Sequence, residues 1–329
     1  MPKTYEHVLN FAVDHPWALT RPMVAVIAGI LAARIAGEDT DRAVVEQALV
    51  NRKNLPQPTV GSVAIVPVYG VLAPRANLMS DMSGGTTFDR LSSLVRGAVS
   101  NPAIKTIVLD VDSPGGSVAG ATEFAHELLA ARAKKPIVAI AQYTMASAAY
   151  WLASCCTAVY AAPSAQVGSI GVFSVHEDIT EALLQRGIKR SFVSAGVGKV
   201  DGIETLTPTA EQRLQGLVDQ CYAAFVGDVV KGRGTGLSES KVRQDWQAHV
   251  YRSDDALAMG MIDRIATLDE TVLHLLGSSP DSKDQRAAEA YQLTTDTAQE
   301  PSPATAQDRS ADRRLEQALF DLSLRTRAS

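Results

Sequence analysis

Three short apolar runs, each leading through a turn into a helix, set the strongest limit on what this chain can fold into. Ser62–Val71 is β-branched and closed by Pro74. Ile104–Val111 is apolar almost throughout, as expected for a strand covered on both faces. Lys135–Ala141 leads into a turn of small residues. Phe88–Val99 and Ala119–Arg132 carry helical spacing behind the first two, and Ala148–Leu152 reads as a helix headed by Ser147 behind the third. Further along, the sequence predicts a short strand at Val159–Ala161, a glycine-rich turn at Gln166–Val172, a helix at His176–Arg186, a strand at Arg190–Val193 and a long helix over Thr209–Lys231. This alternation predicts an α/β core with a mainly parallel sheet.

The flanks read differently. Three helical patterns, Tyr5–Asp14, Met23–Ala36 and Asp39–Arg52, make residues 1–59 an accessory helical arm ahead of a core at 60–276. Residues 277–329 are rich in Ser, Asp, Gln, Thr, Ala and Pro, too poor in large apolar residues to repay ordering, with an amphipathic pattern over Arg313–Arg325. Met23–Ala33 has about half the ~20 residues a spanning helix needs, so no membrane anchor is expected. The net charge of −5 and the lack of a basic stripe argue against a nucleic-acid surface. Adjacent Cys155 and Cys156 make no disulfide framework, which suits a reducing compartment, and no zinc-spaced ligand cluster is present, so neither metal nor cofactor is expected.

Two stretches carry reactive potential. In Y-T-M-A-S-A-A-Y-W-L-A, Ser147 stands at a strand-to-helix turn, where a hydroxyl is held clear of the core beside the N–H groups of a first helical turn. A serine there is also an ordinary N-cap. In D-S-P-G-G-S, Asp112–Ser117, two glycines let the backbone bring N–H groups close to a ligand, so Gly115 or Gly116, with the Ala148 N–H, can bind an oxyanion. The same sequence also suits a plain strand-to-helix turn. A serine nucleophile needs a base. His176 lies a short way downstream at the head of a charged segment, and Lys199 sits in the small-residue loop S-A-G-V-G-K-V-D-G, where a desolvated amine could serve.

Taken together, D-S-P-G-G-S, M-A-S-A-A-Y-W-L-A, V-G-S-I-G-V and G-V-G-K, in that order, resemble the S49 serine peptidases, a family that includes signal peptide peptidase A and the head maturation proteases of tailed phages. The resemblance covers about Val60–Ile265. It implies a fold like that of the Clp protease and crotonase, a spiral of β-β-α units. It also implies a Ser–Lys dyad of Ser147 and Lys199, with Ser169 orienting the lysine and Gly115, Gly116 and Ala148 forming the oxyanion hole. Alanines at 148 and 149, where the family often has glycine, keep the N–H but narrow the pocket. His15-Pro16-Trp17-Ala18 and Val66–Leu72 resemble the phage branch. That branch implies a homo-oligomeric ring that cleaves scaffold, capsid components and itself in the host cytoplasm, inside the assembling procapsid. A soluble cellular signal-peptide peptidase is the alternative. An acyl-CoA-binding crotonase relative and a silent ring or scaffold component are more distant ones.

Overall fold

The computed structural model describes residues 17–20, 59–75 and 85–291, less 177, 204, 278–282 and 290. The predicted helices of the N-terminal arm and the Arg313–Arg325 pattern lie outside these residues.

The main sheet is built on β3 (Val63–Tyr69), β6 (Thr106–Ser113) and β8 (Ile137–Ala146), paired in parallel. Two-residue β2 (Thr59–Val60) runs antiparallel to the start of β3 and covers only Val63 and Ala64. Pro67, which has no N–H to give a ladder, is therefore beyond that partner, where β3 is an edge. On its other side β8 divides its neighbours. Its first half pairs with β9 (Ala158–Ala161), and its second half, Thr144–Ala146, pairs with β10 (Gln166–Gly168). Short β11 (Val250–Arg252) extends β10 antiparallel, and β12 (Arg264–Ile265) pairs with β9. A smaller sheet stacks β1 (Trp17–Leu19), β7 (Gly115–Ser117), β4 (Leu72–Ala73) and β5 (Thr86–Thr87) in that order.

Alternation along the strands decides the layers. Ala64, Val66, Val68, Ile107 and Leu109 face a large core under helices α1 (Phe88–Ser100), α2 (Ala121–Arg132) and α3 (Ala148–Ser154). Val63, Ile65, Val108 and Ile140 face the opposite side. After α4 (Thr180–Gln185) comes the long α5 (Pro208–Arg233), which starts on a proline capped by Thr207 and stops at Gly234 with φ 86°. The chain then passes through α6 (Ser253–Met259) to α7 (Leu268–Gly277), whose Val272 and Leu276 close the second face.

Five expectations change. Gln142–Ala146 is the second half of β8 rather than a turn, and the D-S-P-G-G-S turn is the end of β6 followed by β7. The register shift between Val111 and Ser113 absorbs the extra residues of β8. His176–Arg186 yields only six helical residues, none buried, because no apolar face is available to hold them. Arg190–Val193 forms no strand: its β-branched signal is real, but Phe192 and Val193 lie exposed with no ladder partner among the described residues. Finally, residues 283–289, expected to stay unordered, are helical. Buried Asp284 accepts from the Ser62 N–H at 2.9 Å and the Ser62 hydroxyl at 2.8 Å, which pins this segment to the start of β3. One buried, paired carboxylate anchors a stretch whose composition could not.

Candidate active site

Ser147 is placed by the junction of β8 and α3. Its own N–H donates to Gly168 O at 2.7 Å, extending the β8–β10 ladder, while its carbonyl accepts from Trp151 N at 2.9 Å and so begins the helix. Serving both ladders forces φ 55° and ψ −122° on a non-glycine residue. Such backbone costs about 1–3 kcal/mol and persists only where the surroundings impose it. Here they do. Every residue of α3 is buried, Trp151 stacks on Phe225 of α5 at 4.5 Å and 7°, and its indole N–H donates to the Asp228 carboxylate at 3.0 Å. His126 meets the other Asp228 oxygen at 2.9 Å, and the Tyr150 hydroxyl donates to Met261 O at 2.8 Å. Burial pushes the Cys155 thiol up to about 12, which keeps it protonated at neutral pH.

The glycine turn lies directly against this serine. A Cβ on Gly115, whose φ is 103°, would come within 2.9 Å of Ser147 Cβ. A Cβ on Gly116 would meet Leu72 O at 2.0 Å, so β4 excludes any side chain there. Ser113 steers the turn: its hydroxyl donates to Gly70 O at 2.6 Å and accepts from the Gly115 N–H at 3.2 Å. Ala148 opens α3, so its N–H has no carbonyl acceptor within the helix. The glycine turn and the first residue of α3 thus both adjoin Ser147, and the Gly115 N–H is already taken by Ser113. Ser113 was not singled out from the sequence. The signal available was its place between strand and glycines, which shows its value only once Gly70 is seen opposite.

Ser169 is also here. It is buried with φ 57°, its N–H donates to His249 O at 2.6 Å, and it follows the Gly168 that anchors Ser147. The structure thus brings Ser147, Ala148, Gly115, Gly116 and Ser169 together. It does not bring Lys199 to them. Lys199 is exposed in a turn, and its amine makes no hydrogen bond or ion pair among the described residues. An inward-facing, desolvated lysine is not what a single chain shows. His176 turns toward the same outlying loop, its Nδ1 lying 4.0 Å from where a Cβ on Gly202 would be. Nor is the serine exposed as expected: Ser147 is fully buried, and its hydroxyl reaches only Gly171 O at 3.5 Å.

Among the described residues no His, Cys, Asp or Glu cluster could hold a metal ion, and no helix is long and apolar enough to cross a membrane. Residues 130–277 match the family model described as Peptidase family S49. The chain is 31% identical over 215 residues to the head-tail preconnector protein GP5 of Enterobacteria phage P21, covering 65% of this chain and 42% of that protein. It is 31% identical over 219 residues to Protease 4 of Salmonella typhi, with 66% and 34% covered. Against capsid assembly protease C of Escherichia phage lambda it is 31% identical over 215 residues, with 65% and 48% covered. The chain therefore spans less than half the length of each of these relatives. The matched segment contains the serine-bearing helix, its supporting α5 and the Ser169 turn, so over residues 130–277 the chain is similar to peptidase family S49.

Proposed function

We propose that the chain is a serine endopeptidase acting on polypeptides, with Ser147 as nucleophile. The observation that carries this reading is the strained, helix-heading backbone of Ser147 set against Gly115. The Gly116 and Ala148 N–H groups stabilise the oxyanion. Lys199, oriented by Ser169, takes the serine proton and returns it to the leaving amine, and water then resolves the acyl-enzyme.

The lysine reaches the serine from a second copy of this chain, in a homo-oligomeric ring. Residues 188–203 are exposed, and Phe192, Val193 and Val197 present bare apolar side chains at 42%, 102% and 94% exposure, a pattern that suits a surface covered by another protomer. The order β3, β4, β5 and α1, then β6, β7 and α2, with strands ahead of each helix, suits the spiral fold that the family resemblance implies. We favour a head maturation role, acting on scaffold and capsid proteins in the host cytoplasm, because a preconnector protein and a capsid assembly protease stand among the relatives. The equal identity to a bacterial Protease 4 supports a cellular peptidase as the second reading.

Labelling with a serine-directed fluorophosphonate, alongside hydrolysis of denatured casein, tests the nucleophile. The parent chain takes label and cuts casein, whereas Ser147→Ala does neither and keeps the same circular dichroism spectrum. A variant that still cuts casein would remove Ser147 from the mechanism.

A further inference from the structure

The chain's own strand β1 lies against the glycine turn that flanks buried Ser147. Residues Trp17–Leu19 run antiparallel to the glycine strand β7, with Trp17 opposite Ser117, Ala18 opposite Gly116 and Leu19 opposite Gly115. On its other edge Trp17 exchanges both backbone hydrogen bonds with Phe173, at 2.8 and 3.0 Å. The segment is clamped between the oxyanion turn and the loop that follows Ser169, and both Trp17 and Ala18 are buried.

The register shows where its carbonyls point. Thr20 N–H donates to Pro114 O at 3.1 Å, and bonded pairs alternate along an antiparallel ladder, so the next bonded pair is Ala18 with Gly116. The Ala18 carbonyl oxygen is thus directed at the Gly116 N–H, the donor assigned above to the oxyanion. A Cβ on Gly115 would lie 2.1 Å from that oxygen and 2.9 Å from Ser147 Cβ, so the carbonyl and the nucleophile flank the same glycine. An extended segment bonded on both edges, small at the residue whose carbonyl meets the oxyanion donor, is how a peptide substrate would lie here. The buried Ser117 hydroxyl, opposite Trp17, has no hydrogen-bond partner in this arrangement.

We propose that Trp17–Thr20 is a built-in substrate: it fills the cleft as a strap, and the enzyme removes it by cutting its own Ala18–Leu19 bond. The proposal rests on the peptidase reading above. Ser147 Oγ adds to the Ala18 carbonyl carbon as its proton passes to the lysine amine. Collapse of the oxyanion breaks the Ala18–Leu19 C–N bond, and the proton goes to the Leu19 amine. One water then splits the Ala18–Ser147 ester, leaving an Ala18 carboxylate and a free serine hydroxyl. The cleft so vacated takes other extended polypeptides with a small residue in the place of Ala18.

The test follows the termini of the full chain by intact mass and N-terminal sequencing, with casein hydrolysis measured on the same samples. The parent chain loses everything up to Ala18 and starts at Leu19, while Ser147→Ala stays whole. In Leu19→Pro the bond is protected. Ala18 already has the extended backbone that precedes proline, and Leu19 belongs to a non-bonded ladder pair, so the strap keeps its place. This variant therefore stays uncut at that bond and loses casein activity relative to the processed parent. A parent chain that hydrolyses casein but keeps Ala18–Leu19 intact, or is cut at another bond instead, overturns the strap and leaves the peptidase reading standing. Cutting at Leu19 in Ser147→Ala overturns self-cleavage. A parent chain that does neither reaction overturns the peptidase reading itself.

Discussion

Ser147 and Lys199 occupy regions built on opposite terms. The serine sits where two sheets and two helices converge, every residue of its helix is buried, and its backbone strain is held by named bonds to Gly168 and Trp151. The lysine sits on an outlying excursion from 178 to 207 with almost nothing buried. A few polar contacts among its own residues shape that excursion: Asp178 accepts from the Thr180 N–H at 3.0 Å and from the Thr205 hydroxyl, and Arg213 of α5 pairs with Asp201. Under the proposed dyad, the contrast teaches that one chain would hold the electrophile-binding half of the site in its core and leave the proton-accepting half without a surface to rest on. Helix α5 joins the two, since its C-terminal half packs on the serine-headed helix α3 and its N-terminal end follows the excursion.

The largest effect tests that division directly. Lys199→Ala should lower casein hydrolysis by about 10²–10⁴-fold, the usual contribution of a general base. If the lysine comes from a neighbouring copy, equimolar Ser147→Ala and Lys199→Ala chains, unfolded and reassembled together, regain about a quarter of parental activity, because mixed interfaces pair an intact serine with an intact lysine. Mixtures as inactive as their components would confine the dyad to one chain or remove Lys199 from it, and a fully active Lys199→Ala alone would end its role.

Gly116→Ala comes next and acts on the rigid half. A Cβ there would stand 2.0 Å from Leu72 O and 2.5 Å from Leu72 N, so β4 and β7 must separate. The expected cost is about 3 kcal/mol or more of stability, read as a lower urea midpoint. An alanine at Gly97, which likewise has no positive φ and has nothing within 4 Å of its Cβ, should cost little, and an equal cost there would show that the β4 contact does not set the penalty.

The sequence was most informative where local chemistry decides structure. The apolar runs at 62–71, 104–111 and 135–141 gave the parallel strands within a few residues, and the serine at a strand-to-helix junction is where expected. What it could not show depends on long-range partners. Arg190–Val193 has a strand's composition but no edge to join among the described residues, Asp284 ties residues 283–289 to Ser62, and a three-residue stretch at Trp17 becomes a strand by pairing with β7 and Phe173. A lysine in a small-residue loop reads the same whether it faces water or a neighbouring protomer, so spacing alone cannot place its amine.

The smallest effect concerns how α5 is tied down. Arg233, in its last turn, donates two hydrogen bonds to the Asp263 carboxylate at 2.6 and 2.8 Å, and Asp263 also accepts from the Val159 N–H at 2.7 Å at the start of β9. Partial burial alone would raise the Asp263 pKa, but the Arg233 guanidinium and the Val159 N–H outweigh it and hold the carboxyl below its ordinary value. A carboxylate lowered in the folded state binds fewer protons there than in the unfolded chain, so its contribution is complete above the ordinary carboxylate pKa and disappears as pH falls through the lowered one. With the Asp263 side chain 41% exposed, solvent screening limits the contribution to about 1 kcal/mol. Asp263→Asn should therefore lower the neutral-pH urea midpoint slightly, and the gap from the parent should close as the pH is taken down into the acid range. A gap that persists at acid pH would mean that Asp263 holds α5 through its shape and neutral hydrogen bonds, and that the serine helix and the lysine-bearing excursion are linked by packing at Phe225 rather than by this ion pair.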